Sequence, residues 1–301
     1  MITKEEIRDW FTSLQDNICK QLETADGKGV FVSDPWERPG GGGGVSRIMT
    51  NGNIIEKGGV NFSAVYGKTP EPILKSMNLS EGSHPDFFAT GVSVVIHPHS
   101  PRVPIIHMNV RYFEMSNGTW WFGGGIDLTP HYVHESDARF FHESLKQTCD
   151  RHHLSYYVDF KKWADDYFFI KHRNETRGIG GIFFDYLKGE DGFTKESRFK
   201  FVQDLGSSLA PIYMHLIQEN HALPYTEKEK EWQYLRRGRY VEFNLVWDRG
   251  TKFGLDTDGR TESILMSMPP RAHWEYNHTP EENSPENMTL SYLKKGVDWV
   301  V

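Results

Sequence analysis

An α+β domain built on a largely antiparallel sheet is what this sequence predicts, and three observations predict it. From Gly91 onward apolar residues alternate with a period of two, in runs joined by turns too short to hold a crossover helix. Stripes at helical spacing lie before and after those runs, not between them. Apart from five consecutive glycines at 40–44, no linker, repeat or low-complexity tract interrupts the chain, so residues 1–301 are expected to form a single domain.

The first element is a helix. Ile7, Phe11, Leu14, Ile18 and Leu22 recur at intervals of three and four, which places a surface helix over 3–24, ending near "ADGKG". "DPWERPGGGGGVSRIM" follows, a glycine loop expected to be mobile unless something holds it. In the next strand Val92, Val94 and Ile96 take one face, and Ser93, Val95 and His97 the other. "PHSPRVP" turns the chain into a second strand. There Ile106, Met108, Val110 and Tyr112 alternate with Ile105, His107, Asn109, Arg111 and Phe113. "SNG" at 116–118 is a hairpin signal and "TWWF" the returning strand, which makes an antiparallel meander.

Three helices are expected next. One starts with Ser136 as N-cap and carries Ala138, Phe141, Leu145 and Cys149 on its stripe. The second has the row Phe160, Ala164, Phe168, which His172 continues at i+4. The third, about 196–219, carries Phe199, Val202, Leu205, Leu209 and Leu216, with Pro211 expected to kink it. "RYVEFNLVWD", "TKFGL" and "ESILMSM" read as late strands stopped by "PP".

Composition narrows the function. A net charge of −7 argues against a nucleic-acid surface, so any anionic ligand must meet local arginines. Two cysteines and an acidic, amphipathic start predict a reduced, cytoplasmic chain, and no run approaches the roughly twenty apolar residues of a transmembrane segment. The chain has no GxSxG, HExxH or cysteine cluster. Its glycine motifs "PGGGGGVSR", "FGGGIDLTP" and "RGIGGIFFD" lack the strand and helix order of a nucleotide loop, so tight turns and close backbone approach explain them better.

One sheet face resists a purely structural explanation. If the 91–113 hairpin pairs symmetrically about its proline loop, Ser93 faces Asn109, while His97 faces Ile105 and lies diagonal to His107. His107, Asn109 and Arg111 then form a polar row roughly 13 Å long, which suits a large organic anion. A face covered by loops, its histidines bonded to carbonyls, is the plain alternative. Two histidines, Asn, Arg and Ser together near two tryptophans favour a ligand site. His142 and His172 could join His97 and His107 as four nitrogen ligands of a metal, although no HxxxH spacing supports this.

Across "WERPGGGGGVSRI", "GVSVVIHP", "HMNVRYFE", "WWFGGGIDLTP", "KKWADDYFFIKHRNETRGIGGIFFD", "LRRGRYVEFNLVWDRGTKFGL" and "TESILMSMPP" the chain closely resembles the oxygen-dependent coproporphyrinogen III oxidase family. One departure is Ala164, where the family signature usually has Cys. The resemblance implies a large antiparallel sheet flanked by helices on both faces, a homodimer with much of its contact from about 239–275, and a lid over the cleft. It implies conversion of two propionates of coproporphyrinogen III to vinyls in haem biosynthesis, with O2 as co-substrate and no organic cofactor. Carried over residue by residue, it assigns substrate binding to Ser93, to Asn109, Val110 and Arg111, and to Asp258, Gly259 and Arg260. His107 becomes the proton donor, Asp127 the acid that meets the pyrrole N–H groups, Arg111 the propionate anchor and Asp248 a second acid. Bacterial members imply a divalent metal such as Mn on His97, His107, His142 and His172; eukaryotic members imply none. A His-ligated metal oxygenase or hydrolase and a non-catalytic tetrapyrrole carrier are the competing readings.

Overall fold

The computed structural model describes residues 2–69, 74, 85–190, 192–256 and 259–300. Helix α1 (Lys4–Asp26) opens the chain under a reciprocal cap between Thr3 and Glu6 and buries Ile7, Phe11, Leu14, Ile18 and Leu22. Six strands follow: β1 (Val32–Glu37), β2 (Gly42–Thr50), β3 (Ile55–Lys68), β4 (Asp86–Pro98), β5 (Ile105–Met115) and β6 (Trp120–Thr129). Then come α2 (Glu135–Asp150), α3 (Tyr156–Tyr167), the two-residue strands β7 (Phe169–Ile170) and β8 (Glu175–Thr176), and β9 (Gly181–Leu187). Helices α4 (Lys195–Asn220), α5 (Glu227–Glu242), α6 (Arg249–Asp256), α7 (Thr261–Leu265) and α8 (Pro285–Tyr292) complete the order, with a π-helical turn at Phe243–Trp247 after α5.

Strands β1 to β6 and β9 form one seven-stranded sheet in sequential order, every pairing antiparallel. The expected α+β architecture is observed. So is the expected register of the central hairpin, in which Ser93 pairs with Asn109 and Val95 with His107. Because side chains alternate, that register sends Val92, Val94, Ile96, Ile106, Met108 and Val110 together to one face. There they join Phe122, Ile126, Ile182 and Phe184 in one core with Phe11 of α1, Phe141 of α2 and Leu205 and Leu209 of α4. At about 1.5–3 kcal/mol for each fully buried large apolar side chain, this face dominates the fold's stability. Helix α5 and the segment after it pack on the other face.

Several sequence expectations need correction. Gly42, Gly43 and Gly44 belong to β2, paired with β3, so most of the glycine run is strand and not loop. Helix α2 starts at Glu135 after His134, with no side-chain cap, and the Ser136 hydroxyl turns to Asp137. Helix α3 ends at Tyr167, which leaves His172 in the β7–β8 turn instead of on a helical row. The three late strands are helical: "RYVEFNLVWD" is the end of α5 plus the π turn, "TKFGL" lies in α6 and "ESILMSM" carries α7. For the first of these the physical reason lies upstream, where Thr226 and Glu229 cap α5, and Arg236 and Arg237 then tie it to Glu175 and Glu56.

Candidate active site

The second face of the sheet is built from three cross-strand rows. One runs Ile48, Gly59, Val95, His107, Asp127, Gly181; the next Ser46, Asn61, Ser93, Asn109, Gly125, Phe183. The third runs Gly44, Ser63, Gly91, Arg111 and Gly123. Small residues dominate, so the middle of this face is a flat floor. At Gly91 a Cβ would stand 2.5 Å from the Val110 carbonyl oxygen, which is why a larger residue does not fit that position. Asn61, Ser63, Ser93, His107, Asn109 and Arg111 stay half-buried although they sit at the centre of the sheet, so this stretch is open to a ligand.

His107 is held from below. Its Nδ1 lies 2.8 Å from Asp127 Oδ1, and Asp127 is 1% exposed. Arg177, itself buried, donates from Nη2 to both Asp127 oxygens at 2.7 Å and from Nε to Oδ2 at 3.2 Å. Burial alone would push the Asp127 carboxyl up; the Arg177 charge and then His107 outweigh it and hold it below the usual carboxylate range. The Arg177 guanidinium is packed by the rings of Phe168, Tyr240 and Phe243 at 4.5, 4.9 and 4.6 Å, and its Nη1 donates to Asn244 Oδ1. A carboxylate fixed on Nδ1 sets the tautomer, so Nε2 is the nitrogen left to face the floor.

Arg111 lies flat along the same strand. Its Nη1 donates to Asn109 Oδ1 at 3.0 Å, and its Nη2 reaches Asp185 Oδ2 of β9 at 2.9 Å. Beside it stands an aromatic wall: the rings of Tyr167 and Phe183 stack at 4.1 Å, Trp163 meets Phe183 edge-on and Arg249 lies over Tyr167. At the opposite side of the floor α7 closes over β1 to β3. Arg260 pairs with Asp34 at 2.5 Å, the Ser263 and Ser46 hydroxyls bond at 2.8 Å, and Met266 fills the space a Cβ on Gly59 would take. Asp34 lies in the Ser46–Asn109 row, four strands from Asn109, so two arginines bracket a floor roughly 20 Å across.

The structure therefore gathers Ser93, His107, Asn109 and Arg111 on one face and sets Gly259 and Arg260 at its rim. Gly259 donates its backbone N–H to the Gly254 carbonyl. Val110 is a correction: it points to the opposite face and is fully buried in the core, so only its backbone is near the floor. Asp127 is 1% exposed, with both oxygens on Arg177 and Oδ1 also on His107. Asp248 accepts from the Tyr167 hydroxyl and caps α6 through Thr251. Asp258 lies outside the described residues.

The four histidines do not fit a shared metal. His142 sits on the opposite side of the sheet with its ring nitrogens on Tyr157 and the Ile179 carbonyl, and burial lowers its pKa to about 3. His172 is held by Glu242 and Trp247, and His97 is buried beside Tyr240 with Nε2 on the Ser267 carbonyl. Among the described residues no group of three or more His, Cys, Asp or Glu converges as a metal site. Sequence reading missed Arg177, Asp185, Tyr167 and Arg249. "ETRGIGG" and "VWDRG" carried the two arginines in plain view, but Arg177 meets its carboxylate 50 positions away.

Comparison with known proteins gives the family. The family model described as coproporphyrinogen III oxidase matches residues 6–299. A Drosophila melanogaster protein named oxygen-dependent coproporphyrinogen-III oxidase is 50% identical over 298 residues, 95% of this chain and 76% of the relative. Proteins of the same name from Prochlorococcus marinus (strain NATL2A) and Parasynechococcus marenigrum (strain WH8102) are 48% and 47% identical. They cover 95% and 99% of this chain and 88% of each relative.

Proposed function

The chain belongs to the coproporphyrinogen III oxidase family, and from that premise we propose that it oxidatively decarboxylates two propionates of coproporphyrinogen III to vinyls with O2 as the oxidant. The observation that carries the reading is the floor itself: small residues on which a flexible tetrapyrrole can lie, with Arg111 and His107 projecting from one of its strands. Arg111 takes a propionate through its planar fork, and Arg260 offers a second cation across the floor. Ser93, Asn61 and Asn109 supply polar atoms for pyrrole N–H groups.

Each turn of the reaction moves two electrons. The propionate loses a hydrogen with its electron pair from the carbon attached to the ring and loses CO2 from the other end, which leaves a vinyl group. O2 accepts that pair and hydrogen, and one proton completes hydrogen peroxide. His107 supplies the proton from Nε2, and the buried Asp127 behind it, itself held by Arg177, fixes the orientation of the ring. Arg111 contributes orientation, because the carboxylate it holds departs as CO2.

We extend the proposal to one domain over 1–301, whose main core joins residues from Ile7 to Trp299. A cytoplasmic homodimer is part of the same reading. Leu245, Val246, Leu255, Trp274 and Tyr276 leave an apolar surface around 245–276, and no helix among the described residues is long and apolar enough to cross a membrane. Anaerobic mixing with coproporphyrinogen III, then admission of O2, tests the activity. Protoporphyrinogen and CO2 should form only after oxygen enters, and chelator treatment should not change the rate. Binding without product would leave a tetrapyrrole carrier, and loss of activity on chelation would restore a metal enzyme.

A further inference from the structure

Resting on the reading of Arg111 as the propionate anchor, we propose that Asp185 is a specificity-determining residue: a resident carboxylate that occupies the Arg111 guanidinium in the empty cleft and exchanges with the substrate's propionate. Arg111, Gly123 and Asp185 sit on three adjacent strands, β5, β6 and β9. The ion pair has to span the middle strand, a backbone separation of roughly 10 Å. Gly123 makes that possible. A Cβ there would lie 2.5 Å from Asp185 Oδ1, 2.8 Å from Arg111 Nε and 3.0 Å from Arg111 Cζ, so the pair runs flat through a slot that any other residue would fill.

The backbone is bent to aim the carboxylate. The β6–β9 register shifts between Phe122 and Gly124, and Tyr186 at that irregularity has φ of 51°, a left-handed conformation that an aromatic residue seldom adopts. Asp185 Oδ1 accepts the Tyr186 N–H at 3.0 Å, which locks the bulge and leaves Oδ2 for Arg111. With Asn109 on its other side, both terminal nitrogens of the guanidinium already have a polar partner before any ligand arrives. The pair is nevertheless reachable from solvent, at 38% and 24% side-chain exposure.

Exchange has two consequences. A ligand group must compete with a carboxylate to win Arg111, so neutral side chains are rejected. When CO2 leaves, Arg111 returns to Asp185 and no cation is left unpaired beside the new vinyl group, which favours release.

Equilibrium binding of coproporphyrin III tests this, since that oxidised form keeps all four propionates and does not turn over. Asp185→Asn and Asp185→Ser should each bind it about fivefold more tightly than the native protein, the reverse of what a structural lesion would do. In steady state both KM and kcat for coproporphyrinogen III should fall. The gain should vanish in the Arg111→Ala/Asp185→Asn double variant. Binding that is unchanged or weaker in both Asp185 variants overturns the exchange role alone. Native-like binding by Arg111→Ala overturns the anchor reading beneath it.

Discussion

On one face of β5, Ile106, Met108 and Val110 are fully buried against helices α1, α2 and α4; on the other, His107, Asn109 and Arg111 are half-buried and each meets a polar partner. The same six-residue stretch thus serves two unrelated demands. The closed face excludes water and carries stability. The open face keeps its polar groups satisfied while leaving a flat surface uncovered, at the expense of apolar contact. Stability and chemistry should therefore separate under mutation, except where a residue serves both.

Asp127 is that exception and gives the largest expected effect. Asp127→Asn strands the buried Arg177 charge and unfixes His107, so urea unfolding should show a loss of about 3–5 kcal/mol and turnover should fall at least about a hundredfold. If only one of the two measurements changes, the buried pair belongs to one face alone. On the closed face Met108→Ala should cost about 3 kcal/mol by the same unfolding measurement, with kcat per folded molecule unchanged. On the open face Arg111→Ala should lower kcat/KM about a hundredfold and leave the unfolding midpoint within about 0.5 kcal/mol.

The smallest effect is a pH dependence to which His142 on the closed side contributes. His142 is neutral when folded because burial lowers its pKa to about 3, against an unfolded value near 6.5. A depressed folded pKa contributes stability that is fully present above about pH 6.5 and is lost as pH falls toward about 3. Between pH 7 and pH 5 the loss should be about 2 kcal/mol, and His142→Gln should flatten that slope without altering His107 chemistry at pH 7. An unchanged slope would assign the dependence to His97 and His131, which are also buried and shifted well down.

The comparison also explains what the sequence revealed. Alternation between residues 91 and 113 was legible because period, turn and register are local: Pro98, Pro101 and Pro104 bound the hairpin, and pairing Ser93 with Asn109 follows by symmetry. The glycines of "FGGGIDLTP" were visible, but their purpose depends on Arg111 and Asp185 on the flanking strands. Residues 239–268 were misread because short apolar runs such as "FNLVW" have no period long enough to separate strand from helix. The helicity of their first part is set by a cap at Thr226 and by ion pairs of α5 to Glu56 and Glu175, far off in sequence. Arg177 stayed hidden for the same reason.

The most direct test of the central claim is the structure of this protein with coproporphyrin III bound. The account predicts a macrocycle lying parallel to the sheet over Gly91, Ser93 and Gly125, with one propionate on Arg111 and His107 Nε2 facing the ring. A macrocycle bound elsewhere, with Arg111 untouched and the floor still open, would contradict it.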